Sequence, residues 1–181
     1  MSKPDALIIE ADGGSRGNPG PSGSGAIVVD AATGLVIREI SEFIGIATNN
    51  VAEYSGLLAG LSHINKLDPE ATVEVAMDSK LVVEQMSGRW QIKHTDMRDL
   101  AKQCRAAHNP LLITYSWIPR DENSHADRLA NKALYGGSAH KPEPQIQQNY
   151  LSERMRSDEV PTMIYLVRHG ETVLTPMRKF S

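Results

Sequence analysis

The chain has 181 residues, 40% of them hydrophobic, and one cysteine, which suits a single globular domain with a real core plus a remainder and excludes an intramolecular disulfide or a thiolate metal cluster. Its apolar runs, such as Leu111 to Ile113, fall far short of the roughly 20 residues of a membrane-spanning helix, and no basic segment followed by a long apolar one opens it, so a cytoplasmic protein without a membrane partner is expected. The net charge of −3 argues at first sight against a nucleic-acid partner, but bound cations belong in that count: residues 1–137 hold 13 Lys and Arg against 17 Asp and Glu, a deficit that two divalent ions would cancel.

In chain order, the apolar run Leu7 to Ile9 leads into Asp12 and breaks on Gly13 and Gly14. This predicts a buried strand that delivers one carboxylate to a sheet edge, although Asp-Gly-Gly by itself is usually only a turn. Ser22 to Asp30 and Leu35 to Ile44 read as two further strands around Ala31-Ala32-Thr33-Gly34, which together suggest an antiparallel meander. TNNVAEY, Thr48 to Tyr54, then opens a helix with apolar residues at Val51, Tyr54, Leu57, Leu58, Leu61 and Ile64. Thr48 to Asn50 are its start signals and Asp68-Pro69 its stop. Gly56 and Gly60 cost that helix about 1 kcal/mol each relative to Ala. Because they share a face with Glu53, the helix is expected to press that face onto the sheet and set Glu53 next to Asp12.

Thr72 to Met77 alternates like a strand and ends in Asp78-Ser79, where a helix over Lys80 to Met86 begins; a simple helix N-cap is the ordinary meaning of such an Asp. A second helix runs from about Asp96 to His108 and carries Cys104 at a buried position. Lys80 to Arg105 holds six basic and three acidic residues around Trp90, either a modest nucleic-acid patch or a solvated helix face. Leu111 to Trp117 reads as a fifth strand. Ser124 to Tyr135 reads as a last helix with Ala126, Leu129, Ala130, Ala133 and Leu134 inward. Asp127 falls in its first turn, where the helix dipole favours an anion with or without metal.

Asp12, Glu53, Asp78 and Asp127 thus come from different elements, at strand ends or in first turns of helices, where open α/β sheets gather ligands. Oxygen-only ligation suits hard cations such as Mg²⁺ or Mn²⁺. Carboxylates packed this closely repel one another, and without metal some would protonate. Two ions roughly 3.5 to 4 Å apart can activate a water and stabilise the leaving oxygen in an in-line phosphodiester displacement.

DGGSRGNPG, TNNVAEY, MDSKLV and ENSHADRLAN, in this order and spacing, resemble a type 1 ribonuclease H over residues 5–136. The resemblance implies an α/β, ribonuclease H-like fold: a five-stranded mixed sheet, its first three strands antiparallel, with helices on both faces. It implies hydrolysis of the RNA strand of RNA/DNA hybrids, with two Mg²⁺ (or Mn²⁺) ions per site and 3′-hydroxyl and 5′-phosphate products. Asp12 would bridge both ions, Glu53 and Asp78 would complete one, and Asp127 would serve the other. Gly13, Asn18, Thr48, Asn49 and Asn50, with Lys80 and Trp90, would contact the hybrid; short amides and glycine-rich turns can approach 2′-hydroxyls closely. Two departures from the family pattern stand out. The basic, aromatic protrusion of some members is missing between Trp90 and the next helix, and the loop IPRDENS lacks the histidine that many members place there. Arg120 is the candidate substitute, and His125 is not assigned that role.

From Gly136 the composition shifts. Residues 138–161 are rich in Pro, Gln and charge, as in a linker, which leaves 1–137 as the nuclease domain. Met163 to Thr172, MIYLVRHGET, resembles the opening strand and motif of the histidine phosphatase family, with Arg168 as phosphate clamp and His169 as nucleophile. Residues 162–181 are too few for that domain. They are expected to be an idle remnant of the ribonuclease H and phosphatase fusions known in actinobacteria, on a monomer whose tail can contact its own nuclease domain or another chain.

Overall fold

The structure, a computed structural model, describes residues 6–136. The linker and the phosphatase-like motif with Arg168 and His169 lie outside the described residues. Five strands, β1 (Ala6–Ser15), β2 (Gly20–Asp30), β3 (Val36–Ala47), β4 (Thr72–Met77) and β5 (Ile113–Trp117), form one sheet in the order β3-β2-β1-β4-β5. The first three pair antiparallel, and β4 and β5 add in parallel. Four helices complete the fold: α1 (Asn49–Leu67), α2 (Lys80–Met86), α3 (Thr95–Ala107) and α4 (Ser124–Tyr135).

Strand alternation sorts the apolar residues onto two faces. Leu7, Ile9 and Ala11 of β1 and Val28 of β2 pack under α1, α2 and α3 with Tyr54, Leu61, Val83 and Cys104. Ile8, Ile27 and Val29 point the other way and meet Leu129 of α4. The expected inner side of α4 is buried at Ala126, Leu129, Ala130 and Ala133, whereas Leu134 is half-buried.

The expected break at Gly13-Gly14 does not occur. β1 runs on through both glycines to Ser15, paired with Ser24, Gly23 and Ser22 of β2. The glycines are there for close approach: a Cβ on Gly13 would lie 2.1 Å from the Ala52 carbonyl carbon of α1. On the other face, Cβ atoms on Gly23 and Gly25 would meet the α4 backbone at 2.6 and 2.4 Å. Gly56 and Gly60 behave as expected, since added Cβ atoms would lie 2.7 Å from the Asp12 carbonyl oxygen and 2.9 Å from Ile9 Cγ2. Bare backbone thus lets a helix sit against each face of the sheet at the end of β1.

Other differences are local. Ser79, not Asp78, caps α2, its Oγ accepting from Val82 N at 3.5 Å, which frees Asp78 from that duty. The segment expected to open the fifth strand is a 3₁₀ turn, Pro110–Leu112, because Asn109 Oδ1 accepts from Leu111 N at 3.1 Å and Pro110 fits the first helical position. Arg120–Asn123, expected as loop, is likewise a 3₁₀ turn leading into α4.

Gly13→Ala should therefore cost about 3 kcal/mol or more, since neither backbone can yield. Gly14→Ala, whose nearest neighbour would be Leu134 Cδ1 at 3.8 Å, should stay within about 1 kcal/mol. Urea unfolding of both variants checks this, and equal losses would contradict the close-approach explanation.

Candidate active site

The last pair between β1 and β4 is Glu10 with Ala76, after which β1 continues to Ser15 beside β2 alone. A crevice opens where the two parallel strands part, and the carboxylates gather around it. Asp12 is 7% exposed, and its Oδ1 accepts from Gly13 N at 2.7 Å. Glu53 lies in the early turns of α1, brought alongside β1 because a Cβ on Gly13 would fall 2.2 Å from Glu53 N. Glu53 Oε1 accepts from Asn49 Nδ2 at 3.0 Å, while Oε2 is buried with no hydrogen-bond partner.

Asp78 follows directly on β4, with its carbonyl accepting from Trp117 Nε1 of β5 at 3.0 Å and its Oδ1 from Asn123 Nδ2 at 2.6 Å. Asp127 projects from α4; Arg120 Nη2 donates to its Oδ1 at 2.9 Å and Asn131 Nδ2 to its Oδ2 at 2.9 Å. All four carboxylates line one polar cleft of about 350 Å³, together with Asn49 and Arg120. A second cleft of about 270 Å³ lies at the opposite ends of the strands, beside Ala6, Thr72 and Leu111, with Glu74 as its one acidic lining residue.

The electrostatics show how strongly these groups feel one another. Burial, then the neighbouring Asp78 and Asp127 carboxylates, push Asp12 up to about 7 against the opposing Gly13 hydrogen bond and Arg120 charge. Burial, then Asp12 and Asp78, push Glu53 up to about 7 against the nearby Ser79 hydroxyl and the Asn49 hydrogen bond. The low-dielectric crevice thus favours the protonated forms until a cation arrives. Among the described residues no three acidic, His or Cys side chains close on a shared point as a ready-made cage. Each carboxylate is instead tied to its own donor. The donor set still suits a hard cation: oxygen ligands only, one buried carboxylate oxygen left unpartnered, and a charge excess that a metal would relieve.

Among the other expected contact residues, Gly13 and Asn49 line the cleft. Asn18 and Thr48 border it, since Asn18 Oδ1 accepts from Asn49 N at 3.2 Å and Thr48 Oγ1 caps α1 through Val51 N at 3.4 Å. Asn50 is the next residue of the α1 start and is half-buried. Lys80 and Trp90 do not line the cleft; they lie at the start of α2 and just after it, with Trp90 47% exposed. In the basic stretch Arg89 is spent on Glu84, donating from Nε to Oε2 at 2.5 Å. His125 faces Glu39 of β3, away from the role of a loop histidine.

Sequence reasoning missed Asn123. It is fully buried, and its Nδ2 donates both to the Ala11 carbonyl at 3.0 Å and to Asp78, so one amide ties the first and third carboxylate segments together. Asn131 was missed too. Both stand inside ENSHADRLAN, so the motif contained them, but amides carry no periodic or charge pattern that marks them.

Comparison with known proteins places the chain in a family. Residues 10–133 match the Reverse transcriptase-like family model. The Mycobacterium tuberculosis protein called Bifunctional protein Rv2228c is 44% identical over 97% of this chain and 50% of its own length; the chain spans about half the length of the curated relatives it matches first. A Mesorhizobium japonicum Ribonuclease H is 30% identical over 88% of this chain and 99% of its own. Among solved structures, the N-terminal RNase H domain of Rv2228c, fused to maltose binding protein, is 56% identical with a TM-score of 0.67, covering 71% of this chain and 98% of that one. LC11-RNase H1 in complex with RNA/DNA hybrid is 35% identical, with a TM-score of 0.66 over 72% of this chain and 98% of its own. Fold and relatives agree, and the chain belongs to the type 1 ribonuclease H family.

Proposed function

We propose that this chain hydrolyses the RNA strand of RNA/DNA hybrids. The observation that carries the reading is the convergence of Asp12, Glu53, Asp78 and Asp127 on one cleft, where Asp12 and Glu53 are held near 7 by burial and by their acidic neighbours. The relative seen with RNA/DNA hybrid supports the substrate class.

Asp12, Glu53, Asp78 and Asp127 would hold two Mg²⁺ ions, with Mn²⁺ as the alternative, Asp12 serving both, Glu53 and Asp78 one and Asp127 the other, as the family resemblance implies. Bound there, such ions supply an activated water and neutralise charge on the leaving oxygen. The protein's own part is to hold acidic side chains at the base of a cleft in a spacing that water would not preserve. Asn123 keeps Asp78 aimed across the crevice toward Asp12. The bare Gly13 backbone and the amides Asn18, Asn49 and Asn50, with Thr48, approach the minor groove, where the 2′-hydroxyl distinguishes RNA from DNA. Lys80 and Trp90 flank this surface from the α2 side. Arg120 stands at the cleft with its guanidinium on Asp127, positioned to pass that donor to a phosphate in place of the missing loop histidine. In this reading residues 1–137 are the working nuclease, acting as a cytoplasmic monomer.

Asp78→Asn should abolish cleavage, leaving less than a few percent of activity, while hybrid binding is largely retained. Products from the unsubstituted protein should carry 3′-hydroxyl and 5′-phosphate ends, because water rather than the 2′-hydroxyl attacks phosphorus. End-group analysis of labelled RNA checks this, and a 2′,3′-cyclic phosphate would contradict it.

A pH dependence follows from the raised carboxyls. Between about 4 and 7 the metal-free folded protein binds more protons at Asp12 and Glu53 than the unfolded chain does. Stability must therefore fall as pH rises through that window, by on the order of several kcal/mol for the two coupled groups together. In chelator, the melting temperature should be lower at pH 8 than at pH 5; Asp12→Asn should shrink the difference, and added Mg²⁺ should close it. A metal-free protein more stable at pH 8 would contradict the electrostatics described.

A further inference from the structure

Arg16 stands in the turn between β1 and β2, four residues beyond Asp12, and lines the rim of the carboxylate cleft with Tyr135, at the end of α4. Its guanidinium carbon sits 3.9 Å from the centroid of the Tyr135 ring. That ring is 64% exposed.

The contrast with Arg120, the other arginine of the cleft, is informative. Arg120 already donates to Asp127, so its charge is partly spent. Arg16 forms no ion pair with any carboxylate among the described residues; it is held by a π face. A ring face orients a guanidinium through its quadrupole without neutralising its charge or using its in-plane N–H donors. The backbone beneath is firm as well: Arg16 N donates to the Pro21 carbonyl at 2.8 Å, and Gly20 lies so close that a Cβ there would fall 1.8 Å from the Arg16 carbonyl oxygen. A pre-oriented, unneutralised, bidentate donor at the edge of an acidic cleft is what a polyanion backbone needs to bridge the acidic centre.

We infer that Arg16, stacked on Tyr135, is a binding subsite for a backbone phosphate of the nucleic-acid strand that occupies the cleft. Ser15, the last residue of β1, lies about 10 Å beyond Asp12 at about 3.3 Å per strand residue, and Arg16 follows it, so the phosphate it takes is not the one that is cut. This rests on the hybrid-nuclease reading. It adds a contact that fixes strand register and carries no 2′-hydroxyl information.

The test measures hybrid and DNA-duplex affinity against salt in the 181-residue chain made inactive by Asp78→Asn. Adding Arg16→Ala or Arg16→Gln should weaken hybrid binding roughly tenfold at low salt. It should flatten the slope of log affinity against log salt by about 0.9, the share of one phosphate, and do so equally for DNA duplex. Melting temperature should not move, because Arg16 is exposed. Tyr135→Phe should keep the original slope, and Tyr135→Ala should lose part of the affinity. Hybrid binding with an unchanged slope would overturn the subsite alone, as would loss of hybrid over duplex preference. No hybrid binding with Arg16 intact would overturn the nuclease reading and the subsite with it.

Discussion

Four carboxylates forced into one buried crevice repel each other, and most of the fold near the end of β1 works against that repulsion. The restraint is backbone against backbone. Gly13 lets α1 touch β1, Gly56 lets α1 touch the Asp12 carbonyl, and Gly23 and Gly25 let α4 lie on β2 from the other side. With side chains at these positions the helices would stand off, Glu53 and Asp127 would move away from Asp12, and the electrostatic conflict would relax. The glycines are unfavourable for local secondary structure, and what they make possible is the site. Donors then hold each acid in place: Gly13 N on Asp12, Asn49 on Glu53, Asn123 on Asp78, and Arg120 with Asn131 on Asp127.

Much of this could be read from residues. β4, α2 and α4 match the expected boundaries because each is strongly punctuated: alternation ending at Asp78-Ser79, and an apolar stripe opening after Asn123. The stripe through Leu57, Leu61 and Ile64, with two glycines on the Glu53 face, was enough to place α1 against β1. What failed did so for a physical reason. A glycine pair in a strand looks the same whether it turns the chain or admits a neighbouring helix, so Gly13-Gly14 read as a break when it is the contact. Asp78 and Ser79 compete for the cap, and only the fold shows that serine takes it. Asn123 was invisible because its importance lies in two long-range partners, Ala11 and Asp78. Lys80 and Trp90 stood out through the charge pattern of the stretch from Lys80 to Arg105, and they do not line the cleft.

Charge explains how an acidic chain serves a polyanion. Two of its cations are committed internally, Arg89 to Glu84 and Arg120 to Asp127. The segment after Trp90 passes almost directly into α3, leaving no room for a basic protrusion. On the proposed function, affinity would come from close backbone and amide approach along the GNPG turn and the start of α1, from cations held in the acidic cleft, and from few direct phosphate contacts. Such a surface favours shape and 2′-hydroxyl recognition over bulk electrostatics.

The central claim, that the acidic cleft cuts RNA within a hybrid with divalent metal, is tested most directly by one cleavage assay. End-labelled RNA/DNA hybrid, RNA/RNA and DNA/DNA duplexes are incubated with the 181-residue chain in Mg²⁺, in Mn²⁺ and in chelator. The prediction is internal cleavage of the RNA strand of the hybrid alone, dependent on either metal and absent in chelator. Cleavage that persists in chelator, or that falls equally on all three duplexes, would contradict it.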